Sequence, residues 1–297
     1  MNKPLAGIFA ALTTPFVGAD ASAEKLRDNV RKYNRTGLAG YVVLGSTGEG
    51  VSLTDEESVD TVEAVVESAG TDKTVIVGTA RESTKATLDF TNRAAEAGIG
   101  AALVRPPCYY KSRMTREALK THYLALAEGS HVPVIVYNIP QNTGVSLDPG
   151  LVVELAAHPN IIGLKESSGS LGFLGEVVRE VPGDFRYFLG SGHVIYPGLE
   201  MGAVGAILAV AGAAPEICVE IYDLFKAGKR DEARKLQLDL IPLNKGIMQD
   251  FGIAGVKHAQ DLRGFYGGPP RLPLLPIDEQ GRRKIGALLE QLGLTRV

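Results

Sequence analysis

Eight short apolar runs recur along this chain, and stretches of helical period fill the gaps between them. The runs cover residues 8–12, 40–44, 74–77, 101–104, 134–137, 161–165, 186–189 and 205–209. They read as continuous Val/Ile/Ala segments, the pattern of strands covered on both faces. The intervening stretches include 23–33, 55–68, 85–97 and 116–127, and the second opens with Thr54 three residues before Glu57, a capping box. Strand and helix in strict alternation predict a parallel sheet, and eight strands are the number that closes a β/α barrel. The expected fold is therefore α/β, a (β/α)8 TIM barrel. A doubly wound sheet is the main competitor, but no GxGxxG follows any of the runs.

After about residue 212 the alternation stops. Residues 215–226, 231–249, 255–263 and 278–292 look helical with no strand between them. We read the first as the last barrel helix and the rest as a C-terminal helical appendage. That divides the chain into a barrel over 1–225 and a helical region over 226–297. Gly267-Gly268-Pro269-Pro270-Arg271 and Pro273 through Pro276 form a stiff connector before the final helix.

The chain is 297 residues long, 45% hydrophobic and 22% charged, enough for one large core. Its net charge is −3 and it has no basic run, so nucleic acid is not an expected partner. No apolar stretch approaches a membrane span. Met1 through Leu5 lead straight into a strand-like segment, so no signal peptide is expected. Cys108 and Cys218 alone make no disulfide framework, and a cytoplasmic location is expected. The five histidines show no HExxH spacing and none pairs with a cysteine, so neither a metal nor another cofactor is expected.

Chemistry concentrates at the ends of the runs, where a β/α barrel keeps its reactive groups. Lys165 terminates the sixth run and Tyr137-Asn138 terminates the fifth. A lysine in line with a buried strand is costly, because desolvation penalises its charged form. The same penalty favours the neutral amine, which attacks a ketone to form a Schiff base. Neighbouring strands lie about 4.8 Å apart, so the two side chains can converge on one small ligand. Thr13-Thr14-Pro15, Gly45-Ser46-Thr47-Gly48-Glu49, Pro106 through Tyr110 and Gly190-Ser191-Gly192 follow other runs. This ring holds no paired carboxylates, which argues against glycoside hydrolysis.

Each member also has an ordinary reading. The Gly45–Glu49 segment could be a tight turn, Tyr137 a core tyrosine, Cys108 an inert thiol, and Lys165 one half of an internal ion pair. Taken together they suit a different role. A lysine iminium draws electrons from the adjacent carbon of a 2-oxo acid. A tyrosine linked through a serine hydroxyl moves the protons, and backbone N–H groups beside Ser46 and Thr47 at an expected helix start suit a carboxylate.

Gly45-Ser46-Thr47-Gly48-Glu49, Tyr137-Asn138-Ile139-Pro140 with Thr143-Gly144, and Gly163-Leu164-Lys165-Glu166 resemble the dihydrodipicolinate synthase / N-acetylneuraminate lyase family. The resemblance runs from about Gly7 to the C-terminal helices. It implies a class I aldolase or lyase acting on a small 2-oxo acid, with Lys165 as the Schiff-base lysine, Tyr137 as the relay tyrosine and Ser46 as its link. It also implies that Tyr109, in a Pro-x-Tyr turn, reaches a neighbouring subunit's site in a homotetramer built as a dimer of dimers; Tyr110 is the adjacent alternative. Thr47, Asn142, Ser167, Gly192 and Ile207 are the expected substrate-binding residues.

Within the family, Asn142 stands where dihydrodipicolinate synthases carry an arginine. Asp55 and Ser58 stand where feedback-regulated synthases often have histidines. Residues 82–87, Pro107 through Tyr110 with Arg113-Met114, Asn142-Thr143-Gly144 and Phe265 through Pro269 look like 4-hydroxy-2-oxoglutarate aldolases. Cleavage of 4-hydroxy-2-oxoglutarate to pyruvate and glyoxylate is therefore the expected reaction. The alternative is the dihydrodipicolinate synthase reaction, condensing pyruvate with aspartate semialdehyde. Another 2-oxo acid sugar lyase, a non-catalytic ligand binder on the same scaffold, and a barrel for a phosphorylated metabolite are further alternatives.

Overall fold

In the computed structural model, which describes residues 5–294, eight strands close into one parallel barrel. They are β1 (Gly7–Ala11), β2 (Gly40–Val43), β3 (Thr74–Gly78), β4 (Ala101–Val104), β5 (Val134–Asn138), β6 (Ile161–Glu166), β7 (Arg186–Leu189) and β8 (Gly205–Leu208). Each pairs with its successor, and β1 pairs with both β2 and β8, which closes the ring. A two-stranded hairpin, Phe16–Val17 with Asp20–Ala21, follows β1.

The strands lack polar alternation because both of their faces are buried. Phe9, Val42, Ile76, Leu103, Ile135 and Ile207 pack inside the barrel. Ile8, Tyr41, Val43, Val75, Val134 and Val136 belong to the larger core shared with the helices. Inside, Phe9 meets Phe188 edge-on, with ring centroids 5.6 Å apart.

The barrel helices are α1 (Ala23–Tyr33), α2 (Asp55–Ser68), α3 (Thr84–Glu96), α4 (Arg116–Gly129), α5 (Pro149–Leu155), α6 (Leu171–Glu180), α7 (Ile195–Glu200) and α8 (Pro215–Lys226). Ser22, Ser83, Thr115, Asp148 and Ser170 cap five of them by accepting a backbone N–H. The Thr54–Glu57 box on α2 is reciprocal, and each such cap is worth about 1 kcal/mol.

Beyond the barrel lie α9 (Arg230–Asn244), α10 (Gly252–Leu262) and α11 (Glu279–Gln291). The single helix expected over 231–249 does not run through. It widens into a π-helical turn over Lys245–Gln249, where the Asp250 N–H reaches back five residues to the Lys245 carbonyl. Such turns re-aim side chains at functional sites, and Met248 on this one faces the site described below. The next helix begins at Gly252, ahead of the expected 255. Among the described residues, no helix is long and apolar enough to cross a membrane.

Candidate active site at the barrel mouth

Strand register brings the two reactive side chains together. Between β5 and β6 the pairing shifts by one residue after Val134, and Tyr137 then stands opposite Lys165. A bulge of this kind re-aims the side chains beyond it. Lys165 is 4% and Tyr137 5% exposed, and the Lys165 Nζ lies 4.3 Å from the centre of the tyrosine ring. Among the described residues, no hydrogen bond or ion pair engages the Lys165 amine. The adjacent carboxylate is occupied elsewhere: Glu166 accepts the N–H groups of Ser168 (2.7 Å) and Gly169 (3.2 Å) and the Asn138 amide (3.3 Å). The ion-pair reading of Lys165 therefore does not apply.

Ser46 and Thr47 form a short 3-10 turn, Ser46–Gly48, rather than the start of a full helix. The turn's own hydrogen bonds use the N–H groups of Gly48 and Glu49, which leaves those of Ser46 and Thr47 outside its ladder. Both residues open onto a cavity of about 360 Å³ that also holds Tyr137 and Lys165. Gln141, Asn142 and Ser167 supply its polar wall, and Ile207 of β8 lies deeper. Among the described residues, its lining carries no charged side chain apart from Lys165. Gly190 also borders the cavity, and a Cβ there would sit 1.9 Å from the Ser167 Oγ.

Two expected site residues lie elsewhere. Gly192 borders an adjoining recess of about 610 Å³ that shares Gln141, Asn142 and Ser167 with the cavity. His193 faces that recess beside Asn244, 2.8 Å from its Nδ1, and burial lowers its pKa. Tyr109 is 78% exposed and does not line the cavity of its own chain. Its ring meets Tyr110 edge-on at 5.0 Å, and its N–H is held 2.8 Å from Glu82.

Sequence reasoning missed the other wall. Met248, Phe251, Ile253, Leu274 and Leu275 from the C-terminal region also line the cavity. The available signal was a pair of leucines set in a proline-rich connector, where they have no helix face to fill.

The site's surroundings carry a second network that sequence reasoning also missed. Glu49, which ends the 3-10 turn in a left-handed conformation (φ 54°), points inward to Lys257 of α10. The Lys257 Nζ is 2.7 Å from the Glu49 Oε1, and both side chains are fully buried. Burial holds the Lys257 ammonium below the usual lysine range, and Glu49 opposes that shift. Next to it Arg271 grips Glu57 with two hydrogen bonds, which hold the carboxyl down at about 2.

Comparison with known proteins agrees with this geometry. Residues 4–292 match the model of the dihydrodipicolinate synthetase family. A 4-hydroxy-tetrahydrodipicolinate synthase of Exiguobacterium sp. is 34% identical over 98% of this chain and 99% of its own length. Its namesake in Methanopyrus kandleri is 34% identical over 99% of this chain and 98% of its own. The crystal structure of dihydrodipicolinate synthase from Thermotoga maritima superposes with a TM-score of 0.94 at 29% identity, covering 98% of this chain and 99% of that one. The synthase from Acinetobacter baumannii complexed with pyruvate gives 0.93 at 29% identity, over 98% and 99%. These relatives carry the name of the alternative reaction and lend no support to a special closeness to 4-hydroxy-2-oxoglutarate aldolases. The fold, the lysine at the end of β6 and these matches agree: the chain belongs to the dihydrodipicolinate synthetase family, and it is a class I, pyruvate-dependent aldolase.

Proposed function

We propose that Lys165 forms a Schiff base with the ketone of a pyruvate unit, and that Tyr137 and Ser46 move the protons of the carbon–carbon step. What supports this reading is a buried amine with no hydrogen-bond or ion-pair partner among the described residues, beside a tyrosine, facing a cavity whose described lining holds no other charge. The neutral amine attacks the 2-oxo carbon, and loss of water leaves the iminium. In the cleavage direction the iminium takes up the electron pair of the breaking carbon–carbon bond as the neighbouring hydroxyl gives its proton to the tyrosine relay. An aldehyde leaves, and the enamine that remains is protonated and hydrolysed to pyruvate. Condensation is the reverse. Ser46, Thr47 and their backbone N–H groups receive the pyruvate carboxylate. Asn142, Ser167 and the recess beside Gly192 receive the second substrate, and Ile207 packs beneath it. Tyr109 completes the site of a neighbouring copy in a homotetramer. Borohydride with pyruvate should add a reduced pyruvyl mass to the peptide containing Lys165. Labelling at another lysine, with turnover surviving Lys165→Ala, would sink the mechanism.

For the second substrate, the relatives' names support condensation of pyruvate with aspartate semialdehyde, and this is the first reading. A second reading rests on Asn142, an uncharged residue in a lining that has no arginine among the described residues. Such a site lacks a bidentate clamp for an acceptor carboxylate. Hydroxyls and backbone donors can hold the small aldehyde acid glyoxylate, while the longer aspartate semialdehyde loses its main anchor. This favours cleavage of 4-hydroxy-2-oxoglutarate to pyruvate and glyoxylate. Measured side by side, the reaction with the higher kcat/KM decides between them.

A further inference from the structure

The cavity has a polar face on the Ser46–Thr47 turn and an apolar face on the C-terminal segment that carries Leu274 and Leu275. A single buried network ties these two faces together. Glu49 directly follows the turn. Its Oε1 lies 2.7 Å from the Lys257 Nζ, and its Oε2 accepts the Arg271 backbone N–H at 2.8 Å. The Lys257 ammonium also donates to the carbonyls of Thr14 and Pro269, each at 2.8 Å. Thr14 in turn donates its hydroxyl to the Gly48 carbonyl at 2.6 Å, inside the turn itself. Lys257 thus reaches the Ser46–Thr47 turn by two routes, through Glu49 and through Thr14.

We infer that Lys257 and Glu49 are positioning residues, which fix the Ser46–Thr47 turn in the orientation that receives the carboxylate of the 2-oxo acid. The inference rests on the Schiff-base reading above. A pair of apolar side chains would hold two segments together with no charge to desolvate. It would not orient a carboxylate against one ammonium and one backbone N–H at once. The placement also counts: the carboxylate belongs to the residue that closes the turn, and that residue is held in the left-handed region at φ 54°. Neither side chain lines the cavity, so both act through the turn.

The test separates binding of pyruvate from reaction at Lys165. Borohydride trapping is measured against pyruvate concentration in the full-length protein, in Lys257→Met and in Glu49→Gln, with folding followed by circular dichroism. The half-saturating pyruvate concentration should rise by about tenfold in Lys257→Met, the size of one lost charge-assisted contact. The rise should be smaller in Glu49→Gln, whose amide keeps an acceptor for Arg271. Maximal labelling at saturating pyruvate should stay within about threefold of the unaltered protein, because Lys165 and Tyr137 are untouched. If Lys257→Met does not fold, the Glu49→Gln curve carries the decision. Half-saturation within about twofold of the unaltered protein in every folded variant, with only the melting temperature lowered, would overturn the inference and leave the pair a stabilising contact. Absence of labelling in the unaltered protein would overturn the Schiff-base reading and this inference with it, before any substitution is made.

Discussion

The mouth of the barrel and the seam under the C-terminal helices each bury a lysine, and the two lysines have opposite surroundings. Lys257 has a carboxylate, two carbonyl oxygens and the face of Phe16, 4.3 Å from its Nζ. Lys165 has the face of Tyr137, also at 4.3 Å, and no hydrogen-bond acceptor among the described residues. Taking an ammonium out of water costs several kcal/mol. A cation–π contact returns only about 0.5–2 kcal/mol. The seam offsets more of that cost than the mouth does, though burial still holds the Lys257 ammonium below the usual lysine range. An amine that can attack a ketone must be free of stronger partners, so the incomplete satisfaction at Lys165 fits a group that reacts. The three oxygen partners of Lys257 fit a group that holds something in place.

Substitution by methionine, similar in length and uncharged, puts the two lysines to the same trial. The largest effect is expected at Lys165, where Lys165→Met should abolish turnover and borohydride labelling. It should leave thermal stability unchanged or raise it by about 1–2 kcal/mol, since no buried partner is stranded. A loss of stability there would mean that Lys165 has a structural duty and that the contrast is false. Tyr137→Phe comes next and should cut turnover by roughly 10²–10⁴-fold, the usual worth of a positioned acid or base, while slow imine formation persists. Near-normal turnover would make Tyr137 a core residue only.

At the seam the signature reverses. Lys257→Met strands Glu49 as a buried charge and should cost about 3–5 kcal/mol in denaturant unfolding. Adding Glu49→Gln removes the stranded charge, so the double variant should recover part of that loss. A double variant no more stable than Lys257→Met would show that the two residues are not coupled.

Much of the mouth was legible in the sequence, and little of the seam was. The strands announce themselves because burial on both faces makes them continuous apolar runs, and a barrel places whatever follows each run on one rim. Lys165, Tyr137, Ser46 and Thr47 could therefore be assembled from order along the chain alone. Glu49 and Lys257 are separated by most of the chain, and nothing in a lone glutamate or a lone lysine on a helix marks its partner. Met248 and Phe251 escaped for a related reason: the π-helical turn at Lys245–Gln249 re-aims this stretch, and a regular helical period cannot anticipate that. Tyr109 stands apart. Its side chain is exposed and meets only the Tyr110 ring among the described residues, so its place at a neighbouring copy's site rests on the proposed assembly alone.

A third buried base sharpens the contrast at the small end. His122 on α4 is 6% exposed, its Nδ1 lies 2.8 Å from the Thr84 hydroxyl, and its Nε2 has no partner among the described residues. Burial pushes its pKa down to about 4. An unfolded histidine titrates near 6.5, so as pH falls below that value the unfolded chain takes up a proton that the folded one refuses. The contribution of His122 is therefore intact above about pH 6.5 and declines as pH falls towards the folded value of about 4. Between pH 7 and pH 5.5 the loss amounts to about 1 kcal/mol. His122→Gln has no such proton to refuse and should flatten that part of the stability profile, as read by urea unfolding at the two pH values. An unchanged slope in the variant would assign the acid sensitivity to other groups. It would also separate His122 from Lys165, as a buried base whose missing partner has no consequence.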